Sequence, residues 1–253
     1  MDQLQILNNT FDKIFVLTLE GQTERQEHMR QVLKGVEFEF FYGVNKNNFT
    51  IDLAEKNGEY NSQLAQTRVR SGKPMQHGMI ACSWSHKKIY EKVIDENLNS
   101  VLIFEDDLQP LNSNTPLLST VLNELPDNWE LLYLGYWKNE KYGFKERLRQ
   151  YQYHILKSLN LVQWSHTRIK NIYAKPYSKH LKIAGNHETT HAYAVTKSAA
   201  EKLIKLQSPI SYNPDHLLTH AITSEQVRAF LTHPMMFWQL SLEEGNSFEN
   251  LTI

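Results

Sequence analysis

The residues with the clearest chemical purpose are Glu105, Asp106 and Asp107, which follow the apolar run Val101-Leu102-Ile103-Phe104 without a break. Adjacent carboxylates repel one another, and each costs free energy to remove from water. A hard divalent cation, Mn²⁺ or Mg²⁺, relieves both costs because it prefers oxygen ligands. If the run is a buried strand of an open α/β sheet, the acids lie at its carboxyl end, where such sheets bind ligands. A diphosphate is the usual partner of an ion held this way. An acidic turn capping the next helix explains the same tripeptide with no ligand at all.

Four further groups bear on chemistry. Gly78-Met79-Ile80-Ala81-Cys82-Ser83-Trp84-Ser85-His86 offers a close backbone approach at Gly78 and short polar groups at Ser83, Ser85 and His86. A helix start with Cys82 and Trp84 buried is its simpler reading. Thr18 and Leu19, with the polar turn from Glu20 to Arg25, could meet a nucleotide; an ordinary strand-to-helix turn with a solvated Arg25 is the alternative. In Asn213-Pro214-Asp215-His216-Leu217-Leu218-Thr219-His220, Asp215 suits a general base or a metal ligand. His216, His220 and His233 could each ligate a metal, but among eleven histidines such coincidences are common, so Asp215 ranks above them. Segment 138–182 carries eleven Lys/Arg against two Glu, interleaved with Tyr142, Phe144, Tyr151, Tyr153, Trp164, Tyr173 and Tyr177. Aromatic faces stack on sugar rings and cations attract phosphates or acidic sugars. Nucleic-acid binding, or a solvated basic face packed on an acidic remainder, fits the same composition.

These groups need a scaffold. Residues 13–19 (KIFVLTL) read as a buried strand. Thr23 with Gln26 suggests a capping box opening a helix to about Lys34, and 38–44 reads as a second strand. Strand, helix, strand with short joints implies a βαβ unit and a parallel sheet. A helix over 78–97, a strand over 101–104, a helix over 116–124 and a strand over 130–136 follow. The run from His191 to Thr196 is a further strand. Ser198 with Glu201 suggests a capping box for a helix to Leu206, and 227–231 reads as a last strand. Residues 45–74 are polar and carry little pattern.

Composition narrows the class. The chain has 253 residues, 41% apolar and 22% charged, which suits a packed core and excludes a largely disordered chain. The formal net charge of −1 argues against attachment to nucleic acid by bulk charge, so no nucleic acid is expected as partner. The single cysteine, Cys82, excludes an internal disulfide and a multi-cysteine zinc site. The first residues lack a basic n-region and a long apolar stretch, so a secretory signal and a membrane span are not expected and a cytoplasmic location is.

Taken together, the motifs resemble glycosyltransferase family 25, the lipooligosaccharide glycosyltransferases with relatives among the collagen galactosyltransferases. KIFVLTLEGQTERQEHM is similar to the family's opening strand, turn and helix, and FEFFYGVN to its second strand. GMIACSWSHKKIYEKVI followed by VLIFEDDL is the most specific match. LLYLG, HAYAVTKSAAEKL and NPDHLL complete the order. Glu20 and Gly21 replace the family's short Asp/Asn-Arg stretch, and 138–182 has no counterpart.

The resemblance implies a GT-A-like nucleotide-sandwich α/β fold, with a mostly parallel sheet flanked by helices. Residues 1–253 then read as one domain with an acceptor-side insertion at about 138–182. It further implies a UDP-sugar donor, commonly UDP-galactose, an acidic motif holding Mn²⁺ or Mg²⁺, and a saccharide or lipid-linked saccharide acceptor in surface-glycan synthesis. On that reading Asp107 holds the metal with Glu105, and His233 is a late ligand. Thr18, Leu19, Arg25, Ser85, His86, Glu105 and Asp106 border the donor, and Asp215 is the base. Peripheral contact of the basic segment with an anionic inner-membrane face goes with a lipid-linked acceptor. Two other classes use the same residues: a nucleotidyl- or phosphoryl-transferring enzyme, though no P-loop Gly-Lys-Ser/Thr is present, and a non-enzymatic module binding acidic glycans or nucleic acid.

Overall fold

Residues 101–104 are apolar on every side chain rather than on alternate ones, so their strand must be covered on both faces. The computed structural model, which describes residues 3–68 and 72–243, shows this arrangement. The strands are β1 (Lys13–Thr18), β2 (Glu39–Tyr42), β3 (Ser100–Glu105), β4 (Leu108–Pro110), β5 (Leu131–Trp137), β6 (Lys175–Pro176), β7 (Leu181–Ile183), β8 (Glu188–Thr196), β9 (Ala229–Thr232) and β10 (Phe237–Gln239). The helices are α1 (Ile6–Thr10), α2 (Thr23–Val32), α3 (Ile51–Lys56), α4 (Ser62–Arg68), α5 (His77–Asp95), α6 (Leu118–Asn123), α7 (Phe144–Ser158), α8 (His166–Lys170), α9 (Lys197–Leu206) and α10 (Pro214–Thr223).

One sheet runs in the order β2-β1-β3-β8-β5-β9-β7-β6, and β4 pairs with β10 in a separate ribbon. The expected βαβ unit is present: β1 and β2 pair in parallel across α2, with Phe15 opposite Glu39 and Thr18 opposite Tyr42. β1 with β3 and β5 with β9 are also parallel. The sheet is nevertheless mixed. β8 runs antiparallel to both β3 and β5, and β7 runs antiparallel to β9 and β6. This qualifies the expectation of a mostly parallel sheet. It also has a purpose, since reversal brings the amino end of β8 to the edge where β1, β3 and β5 end.

Alternation along β3 divides the core in two. Val101 and Ile103 join Phe15, Tyr133, Tyr193 and the buried sides of α5, α9 and α10. Leu102 and Phe104 join Ile14, Val16, Leu132, Leu134 and residues of α1, α2 and α6. All four β3 residues are fully buried, and at about 1.5–3 kcal/mol per large apolar side chain this strand anchors both layers.

Segment 138–182 is not a separate lobe. Its α7 and α8 share a small core of Ile169, Ile172 and Tyr173 with Tyr142, Tyr153, Val162 and Trp164. Its end supplies β6 and begins β7, which extends the sheet beyond β9. Residues 45–68, poor in pattern, hold the short helices α3 and α4. The two expected capping boxes are replaced. Gln22 precedes α2 without a side-chain cap, and Gln26 donates to the Leu19 and Glu20 carbonyls. Thr196 caps α9 by accepting from the Ala199 amide, while Ser198 donates to Glu130. Strand and turn geometry, which sequence spacing does not contain, decides each cap.

Candidate active site

β1, β2 and β3 are parallel, so their carboxyl ends open on one edge. There a cavity of about 400 Å³ is lined by Thr18, Leu19, Arg25, Gly43, Val44, Lys46, Ser85, Glu105, Asp106 and Asp107. Beside it a second cavity of about 220 Å³ is lined by Trp137 from the end of β5, Glu188, Thr189 and Thr190 from the start of β8, and Asp215. The two share Cys82, Glu105 and Gln239. Glu105 therefore sits at the joint between the two cavities, with Asp106 and Asp107 on the side of the larger and Asp215 on the side of the smaller.

The three acids have different environments. Asp106 is turned away from its neighbours: Thr18 Oγ1 donates to its Oδ2 at 2.6 Å and Arg25 Nη1 to its Oδ1 at 2.7 Å. Burial raises its carboxyl above the ordinary value, although Thr18 and Arg25 pull it down. Both oxygens and both partners are committed, so Asp106 and Arg25 form a buried tie between β3 and α2 rather than open ligands. Breaking such a pair by removing one member costs about 3–5 kcal/mol.

Glu105 and Asp107, two residues apart, share one partner. Gln239 Nε2 donates to Glu105 Oε2 at 3.3 Å and to Asp107 Oδ2 at 3.1 Å. Glu105 also accepts from Thr190 and lies 3.6 Å from His86 Nε2. Burial works to raise the Glu105 carboxyl, but His86 and Thr190 outweigh it and the group sits below the ordinary carboxylate range. Asp107 goes the other way: burial, and then the charge of Glu105, push it up to about 6. Its Oδ1 is buried with no hydrogen-bond partner. A buried carboxylate oxygen left without a donor, next to a second carboxylate, fits a hard divalent cation. Gln239 holds the pair together meanwhile.

His86 and Ser85 lie one layer deeper. His86 is 1% exposed, with Nδ1 2.7 Å from the Tyr193 hydroxyl, and it supports Glu105 from beneath. Ser85 Oγ donates to Ala81 O at 2.7 Å and accepts from the Val44 amide at 2.8 Å. It pins the loop after β2 onto α5, and Gly43 there has no room for a Cβ, which would fall 2.7 Å from Ser85 Oγ.

Asp215 stands at the start of α10, after the N-cap Asn213 and Pro214. Its Oδ1 accepts from the His216 amide at 2.8 Å. Burial raises its carboxyl above the ordinary value, which strengthens it as a base. His233 is not brought to the acids: its Nδ1 lies 2.6 Å from Glu140 Oε1, and it lines neither cavity. The expectation of His233 as a late metal ligand is corrected accordingly. His216 and His220 also stay outside both linings, and among the described residues no three His, Cys, Asp or Glu side chains form a metal cluster. Sequence reasoning missed Gln239 and Thr190. The first ends the three-residue strand β10, which carries no motif, and the second lies near the start of β8.

The fold and site define an α/β protein with a carboxylate pair at the carboxyl edge of its sheet, one member of which, Glu105, borders two cavities. The sequence profile of glycosyltransferase family 25 (LPS biosynthesis protein) matches residues 11–218, and the chain belongs to that family. Among curated relatives, procollagen galactosyltransferase 1-B of Xenopus laevis is 27% identical over 136 residues, 50% of this chain and 21% of that protein. Procollagen lysyl hydroxylase and glycosyltransferase of Acanthamoeba polyphaga mimivirus is 30% identical over 137 residues, 48% of this chain and 15% of its own length. Inactive glycosyltransferase 25 family member 3 of Homo sapiens is 26% identical over 138 residues, 49% and 22% respectively. The chain thus spans about a fifth of the length of the first and third of these relatives and less of the second. No helix among the described residues is long and apolar enough to cross a membrane.

Proposed function

We propose that the protein is a metal-dependent glycosyltransferase of GT-A-like fold that moves a hexose, galactose for preference, from a UDP-sugar to a saccharide acceptor. The observation that carries this reading is the joint at Glu105: one carboxylate shared by a larger cavity, which Asp107 also lines, and a smaller one, which Asp215 lines, as transfer between two bound substrates requires. The galactosyltransferase names among the relatives support the choice of sugar. A surface glycan, free or lipid-linked, is the acceptor class that accompanies the family description.

In this reading the nucleotide lies along Thr18, Leu19 and the loop at 43–47, outside the ends of β1 and β2. Asp107 and Glu105 hold Mn²⁺ or Mg²⁺, which when bound supplies positive charge beside the departing diphosphate. Asp106, tied to Thr18 and Arg25, keeps the turn rigid so that the other two carboxylates converge. Asp215 takes the proton of the acceptor hydroxyl as its oxygen bonds to the anomeric carbon. The bond from that carbon to the phosphate oxygen breaks, and UDP carries the electron pair.

The test is a thermal-shift and turnover screen of UDP-, GDP- and CMP-sugars, each with Mn²⁺ and with EDTA. One UDP-sugar is expected to stabilise the protein and to hydrolyse slowly, both effects being lost with EDTA. Asp215→Asn should keep the stabilisation and lose turnover by about 10²–10⁴-fold, as removal of a general base does. Absence of any response in folded, metal-loaded protein would refute the donor assignment.

A further inference from the structure

Helix α7 carries a row of large apolar side chains that face solvent. Phe144 is 81% exposed, Leu148 50%, Tyr151 64% and Ile155 44%, and Leu159 just past the helix is 62% exposed. Their spacings of four, three, four and four residues keep them on one side of a helix with about 3.6 residues per turn. The opposite side makes the packing contacts. Gln150 is buried and donates to the Ile169 carbonyl at 2.7 Å, and Tyr153 meets Trp164 with ring centroids 5.6 Å apart. Isolated exposed apolar residues are ordinary, but a continuous row is not.

The surroundings of the row are cationic. Lys145 and Arg147, both exposed, flank it on its two sides, and the whole segment 138–182 holds eleven Lys/Arg against two Glu. An apolar stripe bordered by cations on an exposed helix is the arrangement that lies in the headgroup region of a bilayer, with apolar groups among the acyl chains and cations on phosphates. A soluble acidic partner would match the charge and leave the stripe uncovered. Helix α7 begins seven residues after Trp137, which lines the smaller cavity, so this face and that cavity adjoin along the chain.

We propose that α7 docks the protein on an anionic phospholipid bilayer, with Phe144, Leu148, Tyr151 and Ile155 inserted and Lys145 and Arg147 on headgroup phosphates. Docking of this helix stands apart from the transfer chemistry and is tested without it. The assay is co-sedimentation of the full chain with vesicles of phosphatidylethanolamine and phosphatidylglycerol, against vesicles of phosphatidylcholine alone. The protein should sediment with the first, far more weakly with the second, and less as salt rises. Lys145→Ala/Arg147→Ala should weaken binding about 25-fold, at about fivefold per cation. Leu148→Ser/Tyr151→Ser/Ile155→Ser should abolish it with an unchanged melting temperature, since the replaced side chains are exposed. Failure to sediment with anionic vesicles would overturn the proposal, as would undiminished binding by the triple serine variant. A wild-type dimer that the triple variant converts to monomer would also overturn it, by assigning the stripe to a second copy.

Discussion

Asp107→Asn separates a carboxylate kept for function from one kept for stability. The Asp107 carboxyl is 4% exposed, and burial with the neighbouring Glu105 charge lifts it from its ordinary 3.8 to about 6. At about 1.4 kcal/mol per pH unit, its ionised form burdens the ligand-free fold by about 3 kcal/mol. The sign follows from the raised value: the fold is favoured while the group stays protonated, and that advantage disappears as pH rises through about 6. Asparagine keeps an oxygen for the Gln239 donor and never ionises. In urea unfolding without metal, the variant should gain on the wild type by about 2 kcal/mol between about pH 4.5 and pH 7.5. For a chain of this size that is about 4–8 °C in Tm. Mn²⁺ at about one hundred times its Kd should add about 2.7 kcal/mol to the wild type and nothing to the variant. A stability difference that does not change with pH would refute the burial argument, and equal Mn²⁺ stabilisation of both proteins would remove Asp107 from the metal site.

The fold should also be acid-sensitive for a nameable reason. His187 and His191 are fully buried and each is lowered to about 4, mainly by burial. Their contribution is whole above the ordinary 6.5 and is lost as pH falls through the folded value. Stability measured by urea should therefore drop by about 2 kcal/mol per histidine between about pH 7 and pH 5, with Asp107 offsetting part; a flat profile would contradict their neutral burial. Gly135→Ala tests the packing of one of them. A Cβ at 135 would fall 2.1 Å from His191 Nε2 and 2.9 Å from the Phe237 carbonyl, so the variant should lose about 3 kcal/mol or more. Unfolding of wild-type and variant protein by urea would show it, and an unchanged midpoint would mean that β5 and β10 can separate freely.

Much of the scaffold was legible because it is local. The unbroken apolar run 101–104 could only be a strand covered on both faces, and the acids after it could only lie at its carboxyl end. The patterns and spacing that mark β1, α2, α5 and α9 are likewise properties of short stretches, whereas α10 is not read as a helix from sequence. Sequence alone therefore determined the βαβ opening, the edge that carries the site and the set of acids at it, and the family resemblance followed from their order. The roles within that set were decided by tertiary structure. Asp106 is tied by Thr18 and Arg25 from 88 and 81 residues away, so the central acid of three identical-looking neighbours is the one withdrawn. Gln239, 132 residues after Asp107, is brought to the pair by the β4–β10 ribbon, and His233, six residues earlier, is carried to Glu140 instead. The reversal of β8, which places Thr190 and Glu188 beside Asp215, is a matter of strand order. Such contacts depend on which surfaces meet when two distant buried faces pack, and that choice leaves no periodic trace in either segment.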